Sequence, residues 1–262
     1  MTPATTLADV TTPTGDQLVI PDGWRQGRGA FGGLTIAALI RAIEARVGDP
    51  ARRVRSVTAE LPAPALPGVA RVEVDVLRSG SSLTCARAAL RQGDSVASHA
   101  VAILATSKPL EAPLAWRDLT PPASPPWREV AAMPAGGWPE FAQHFEYRPI
   151  AGAPLTGGEA RTVGWVRPLA PGPLRDAAYL AALVDAWWPA ALVRAPAMRP
   201  IATIAYTLDV VGDFAGLDPA APLLYRGTVP VSGDGFFLET RELWGDDGRL
   251  LAINHQTFAI IR

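Results

Sequence analysis

VASHAVAILA at residues 96–105 and LAINHQTFAI at residues 251–260 are two versions of one apolar strand, set about half a chain apart. Each closes a run of alternating segments: 53–61, 70–79 and 83–92 before the first, and 201–211, 223–231 and 236–244 before the second. Period-two alternation marks strands, because successive side chains leave a strand on opposite faces. Glycine-bearing turns at Ser79-Gly80-Ser81, Gln92-Gly93-Asp94, Ser232-Gly233-Asp234 and Gly245-Asp246-Asp247-Gly248 mark the hairpins between them. Working outward, each meander is preceded by strand-like residues and one helix-length run. In the first half these are 18–20 and about 33–47; in the second, 141–148, 159–167 and 177–188. Self-similarity over this distance predicts a duplicated chain. Aligning the two quoted strands sets Val101 opposite Gln256.

Between the halves, over 108–139, Pro109, Pro113, Pro121, Pro122, Pro125, Pro126, Pro134 and Pro139 crowd together and neither structural period persists. This predicts a linker, with an N-terminal unit at 1–107 and a C-terminal unit at 140–262. Hairpins segregated from the helices favour α+β over a parallel α/β fold. One helix wrapped by one antiparallel sheet, twice over, is a tandem (double) hotdog with two sheets.

Composition narrows the partners. With 262 residues, 48% of them hydrophobic, the chain can fill a sizeable core. A net charge of −1 with scattered Lys and Arg offers no basic face for nucleic acid and no polybasic run for a lipid surface. The single cysteine, Cys85, rules out an internal disulfide, and residues 1–19 lack a basic start followed by an apolar core. A cytoplasmic protein is expected. Asp185 interrupts the longest apolar run, so no membrane insertion is expected either.

Asp185 is also the only charged side chain in AAYLAALVDAWW, 177–188, a helix with no water-facing stripe. A carboxylate taken out of water must be hydrogen-bonded as a structural acid or retained for chemistry. Gln256 shares a strand face with Phe258 and Ile260, and a lone amide on an apolar face wants a partner. Thr203 reads as an ordinary strand threonine. Gly27, Gly29, Gly32 and Gly33 precede the first helix, whose apolar Leu39, Ile43 and Val47 share a face that Arg41 and Glu44 do not. GRGAFGG is not a phosphate loop, since no Lys-Ser/Thr pair follows; it serves close helix packing or presents free backbone N–H groups. His99, His144 and His255 stand apart and one Cys cannot build a zinc site, so no metal and no cofactor are expected. No Gly-x-Ser-x-Gly turn offers a serine nucleophile.

The duplicated order, with FGG before the first helix, LRSGSS in the first meander and IATI after the Asp-bearing helix, resembles the acyl-CoA thioesterase II family over nearly the whole chain. The resemblance implies hydrolysis of acyl-CoA to free acid and coenzyme A, a part in lipid metabolism, and a site in which Asp185, Thr203 and Gln256 position and activate a water. Gly33, in the first half, is the candidate oxyanion donor through its backbone N–H if the halves pack as a pseudo-dimer. Architecture and resemblance together suggest a homo-oligomer, a dimer or larger. Two other readings stand beside this one. An enoyl-thioester hydratase of the same fold would carry an Asp-x-Asn-Pro-x-His pattern, which is absent; a non-catalytic acyl-binding or assembly module would have no use for Asp185. Phe31, Trp187, Trp188 and Phe258 are available either to an acyl tunnel or to the core.

Overall fold

The computed structural model of the chain describes residues 5–108, 110, 114, 116–134 and 139–261. Pro109 and Pro113 of the Pro-rich segment fall outside these, as do residues 1–4. The first half runs α1 (Leu7–Val10), β1 (Gln17–Ile20), β2 (Arg25–Gln26), β3 (Gly29–Ala30), α2 (Gly32–Val47), β4 (Arg52–Glu60), β5 (Gly68–Ser79), β6 (Leu83–Gln92) and β7 (Ser95–Thr106). The second half runs β8 (Phe145–Ala151), β9 (Arg161–Pro168), α3 (Ala177–Ala186), β10 (Ile201–Val210), β11 (Leu223–Gly233), β12 (Phe236–Trp244) and β13 (Leu250–Ile260).

Among the element boundaries that differ by a few residues from the sequence expectation, two have a clear local reason. The strand expected over 141–148 begins only at Phe145, because Glu140–His144 winds into a 3-10 turn. That turn sets Phe141 on Phe31 and His144 on Trp24, with ring centroids 4.1 and 4.0 Å apart. The helix expected to reach Trp188 stops at Ala186, with Trp187 already extended at ψ 148°. Pro189 disfavours helical backbone at the residue before it, so the turn must unwind first.

The expected pair of sheets is corrected to one. All the strands except β2 and β3 form a single antiparallel sheet in the order β1, β5, β6, β7, β4, β10, β13, β12, β11, β9, β8. The join is β4 against β10, where Ser56–Glu60 pair with Ala205–Asp209. An edge strand in each half would leave a row of N–H and C=O groups unpaired, and pairing the two edges satisfies both. The order on either side of this join repeats, as the duplicated sequence requires. The alignment of Val101 with Gln256 is also corrected. Val101 is 39% exposed, whereas Ser98, Ala100, Ala102 and Leu104 face inward on β7, as Asn254, Gln256 and Phe258 do on β13. A one-residue slip exchanges the two faces of a strand, so the counterpart of Gln256 is a small inward residue such as Ala102.

The two long helices pack against the sheet and against each other. Gly48, at φ 66°, closes α2 by donating its N–H to the Glu44 carbonyl. Arg41, expected off the apolar face, is buried. Its guanidinium reaches Asp176 at 3.1 Å, the Ala8 carbonyl at 2.9 Å and the hydroxyls of Thr11 and Thr12. Asp176 is itself the N-cap of α3, accepting from the Tyr179 N–H at 2.7 Å. One arginine thus ties the middle of α2 to the start of α3. Residues 117–130 of the segment read above as a plain linker lie on the outer side of the second-half sheet. There the Pro125 carbonyl accepts from the Trp165 indole at 3.2 Å, and Trp127 and Val130 pack on Trp165 and Trp244. Among the described residues, no helix is long and apolar enough to cross a membrane.

Candidate active site

Asp185 occupies the last turn of α3 and is 7% exposed. Its Oδ1 accepts from Gln256 Nε2 at 3.0 Å, and the backbone N–H of Gly33, in the first turn of α2, also donates to it. Two helices from different halves, packed side by side, therefore bring the N-terminus of α2 and the last turn of α3 together at this carboxylate. The approach is possible because residues 32 and 33 are glycines. A Cβ at Gly32 would come within 3.0 Å of Asp185 Oδ2, and one at Gly33 within 3.0 Å of the Ala182 Cα. The free N–H groups and positive end of α2 then favour the ionised acid.

The orientation of the side-chain amides follows from their neighbours. Asn254 donates Nδ2 to the Thr207 carbonyl at 2.7 Å, which turns its Oδ1 toward Gln256 Nε2 at 2.9 Å. With Nε2 given to both Asn254 and Asp185, the Gln256 Oε1 is left to accept from Thr203 Oγ1, at 3.1 Å. The Thr203 hydroxyl has then donated its proton and keeps its lone pairs. Strict alternation back from the inward Tyr206 would aim Thr203 outward. The β10–β13 register shifts between Thr203 and Ala205, so Thr203 faces Phe258, an inward residue, while Ala205 faces Thr257. This bulge re-aims the hydroxyl into the site.

Behind the carboxylate lies a second buried charge cluster on β12. Arg241, 1% exposed, donates Nε to Glu239 Oε1 at 3.0 Å and Nη1 to the Val184 carbonyl at 2.9 Å. The same Nη1 lies 3.8 Å from Asp185 Oδ1. Glu239 is held further by the Tyr225 hydroxyl at 3.0 Å and the Ala190 N–H at 3.1 Å. Arg241 thus pairs closely with Glu239 and only loosely with Asp185. Burial raises the Asp185 pKa; Arg241, Gln256 and the Gly33 N–H pull against that without cancelling it. Burial likewise raises Glu239, against Arg241. An acid whose proton affinity is lifted in this way is suited to taking a proton from water.

The structure brings Asp185, Thr203, Gln256 and Gly33 to one place, although they come from α3, β10, β13 and α2. It also brings there Gly32, read above only among the glycines before the first helix, and Asn254, Glu239 and Arg241, which the sequence reading passed over. Alternation held a signal for three of these. Phe237, Glu239, Arg241 and Leu243 share the parity of the apolar inward residues of β12, and Asn254 stands two before Gln256. Phe31, Trp187, Trp188 and Phe258 are all buried: Phe31 stacks on Phe141, Trp187 on Tyr225 at 5.1 Å, and Phe258 on Phe237 at 4.7 Å. His255 is exposed on the opposite face from Gln256. Among the described residues, no three His, Cys, Asp or Glu side chains gather as metal ligands would.

Residues 20–106 match the acyl-CoA thioesterase N-terminal domain, and residues 118–260 match the acyl-CoA thioesterase C-terminal domain. The chain belongs to the acyl-CoA thioesterase family. Comparison with curated proteins finds no match. Among solved structures, this thioesterase is similar to a protein of unknown function with a hot dog fold from Alicyclobacillus acidocaldarius, at 25% identity, 98% coverage of both chains and a TM-score of 0.86. It is similar to a candidate thioesterase II from Thermobifida fusca, at 23% identity, 100% coverage of both chains and a TM-score of 0.81. The acyl-CoA thioesterase II TesB2 from Mycobacterium marinum is 20% identical, with 88% of this chain and 89% of that one covered and a TM-score of 0.70. The thioesterase therefore shares the hotdog fold, with its two halves joined through β4 and β10 into one sheet.

Proposed function

We propose that the thioesterase hydrolyses acyl-CoA by direct attack of a water that Asp185 deprotonates. The observation that carries this reading is the buried carboxylate of Asp185, bonded at once to Gln256 and to the N-terminus of α2. Water would donate one O–H to Asp185 and the other to Thr203 Oγ1 or Gln256 Oε1, two acceptors side by side that share this role. As its oxygen adds to the thioester carbon, a proton passes to Asp185 and negative charge builds on the former carbonyl oxygen. A neutral Asp185 holds the Gly33 N–H less strongly, which frees that donor for the oxyanion. Collapse of the tetrahedral adduct breaks the carbon–sulfur bond, and Asp185 returns its proton to the departing thiolate. No covalent acyl-enzyme is needed.

The reading includes two hotdog units at 1–107 and 140–262, each around one helix, joined by 108–139. It also includes action in the cytoplasm and assembly into a homo-oligomer; a strictly monomeric mass by light scattering would remove the last point. Free-thiol release from a panel of acyl-CoAs of different chain lengths tests the function. Turnover of at least one member is expected, unchanged by prolonged dialysis against EDTA. Silence across the panel with well-folded protein would overturn the reading.

Side-chain roles predict a ranking. Gln256→Ala removes the link between Asp185 and Thr203 and should lower kcat by about one to two powers of ten, the scale of one or two positioning hydrogen bonds. Thr203→Val should cost less than Gln256→Ala, since Asp185 and Gln256 still hold the water. Steady-state kinetics on the two variants would refute the arrangement if the order were reversed.

A further inference from the structure

Beyond Phe258, the inner face of the second-half sheet runs on to the protein surface. Ile201 pairs with Ile260 across β10 and β13, one alternation past the Thr203–Phe258 pair, and Phe237 stacks on Phe258 at 4.7 Å. Ile201, Phe237 and Ile260 form the apolar side of a cavity of about 460 Å³ whose other side includes Arg194, Arg199 and Ser232. Ile260 lies four residues along β13 from Gln256, roughly 13 Å at the pitch of a strand. The cavity and the Asp185 site therefore share one face of one sheet, with the Phe237–Phe258 stack between them.

Charge sets this cavity apart. Arg194 and Arg199 are exposed, their guanidinium groups make no hydrogen bond or ion pair among the described residues, and no carboxylate lines the cavity. Arginines at a second surface cavity, at the other end of β9, are already committed: Arg167 to Glu146 and the Ala220 carbonyl, Arg175 to the Gly172 and Pro219 carbonyls. A guanidinium with free donors matches a phosphate bidentately. The thioester of coenzyme A is an extended, weakly polar arm with a phosphorylated nucleotide at its far end. An apolar cleft with two free guanidinium groups at its rim, about 13 Å from the reacting position by the strand pitch above, has the complementary order.

We propose that this cleft is the coenzyme A site, with Arg194 and Arg199 on the nucleotide's phosphates, the arm along Ile201 and Ile260, and the thioester carbonyl reaching Asp185 past Phe258. The proposal rests on the thioesterase reading above and adds where the carrier group is held. The experiment compares the full chain with its Arg194→Glu/Arg199→Glu double variant, using the best acyl-CoA of the panel and the same acyl group on pantetheine, which has no phosphate. KM for the acyl-CoA should rise by about tenfold or more, on the scale of lost charge-assisted hydrogen bonds, with kcat within about threefold. The gap between the two proteins should shrink as salt is added. Acyl-pantetheine should show no such rise. An unchanged KM for acyl-CoA, or an equal loss on both substrates, overturns the assignment, as does a loss confined to an acyl-carrier-protein substrate. If the wild-type chain turned over none of the thioesters, the hydrolase reading would fail, and calorimetric binding of free coenzyme A would still decide the site. About tenfold weaker binding by the double variant supports it; equal affinity, or no binding to either protein, removes it.

Discussion

Asp185→Asn should lower kcat for acyl-CoA hydrolysis by roughly a hundredfold to ten-thousandfold, the range that a general base supplies. The side chain keeps its shape and its place at the end of α3, and it loses only the capacity to take a proton. Folding should survive, for reasons that can be weighed. The Asn oxygen can still accept from Gln256 or from the Gly33 N–H, but its NH₂ group faces a donor where a carboxylate oxygen stood, a cost of about 1 kcal/mol. Against this, a buried carboxylate that is only loosely paired has gone: Arg241 lies 3.8 Å away and bonds more closely to Glu239. The pH dependence has a definite sign. Burial raises the folded-state pKa of Asp185, so its protonated form stabilises the fold at low pH and wild-type stability falls as pH rises through that raised value. Asn does not titrate, and the variant should therefore gain on the wild type over the same window and hold the gain above it. Thermal melts from pH 4 to 9 beside the kinetics read both effects. The base assignment is falsified if the folded variant turns over at a near-normal rate.

Arg241→Met should produce the largest loss of stability, about 3–5 kcal/mol, the usual result of leaving a buried charge without its partner. Methionine keeps a long apolar stem but removes the guanidinium, whose Cζ lies over the Tyr225 and Phe258 rings at 5.9 and 5.1 Å. The guanidinium lost is the cation that two buried carboxylates, Glu239 and Asp185, share. Adding Glu239→Gln removes the acid that depends on it most, and the double variant should recover much of the lost stability in urea unfolding. Activity should separate the two acids. Arg241 lowers the Asp185 pKa, so without it the acid limb of the kcat profile should move to higher pH. Glu239→Gln alone frees the arginine for Asp185 and should move that limb to lower pH. An Arg241→Met protein with wild-type stability and an unmoved profile would remove this residue from the account of the site.

Much of this molecule is written in local pattern. The echo between VASHAVAILA and LAINHQTFAI, the glycine turns and the helix-length runs place nearly every strand and both long helices within a few residues, because alternation and turn chemistry act over short range. Asp185 announces itself as an acid in an apolar helix, and Gln256 as an amide among inward apolar neighbours; both are buried, and they bond to each other at 3.0 Å. What local pattern cannot carry is the meeting of distant edges. Whether two meanders stand as separate sheets or join through Ser56–Glu60 and Ala205–Asp209 depends on which edge lies nearest once the halves pack. The inward turn of Thr203 depends on a bulge beside that join, where strict alternation would have sent the hydroxyl to the other face. Burial raises the proton affinity of Asp185, and how far Arg241 offsets that from 3.8 Å depends on Glu239 taking the guanidinium at 3.0 Å. The sequence determined most of the elements and the burial of Asp185; the tertiary structure decided how that acid is charged, because electrostatic energy in a water-free site depends on separations of a few ångströms between groups far apart in the chain.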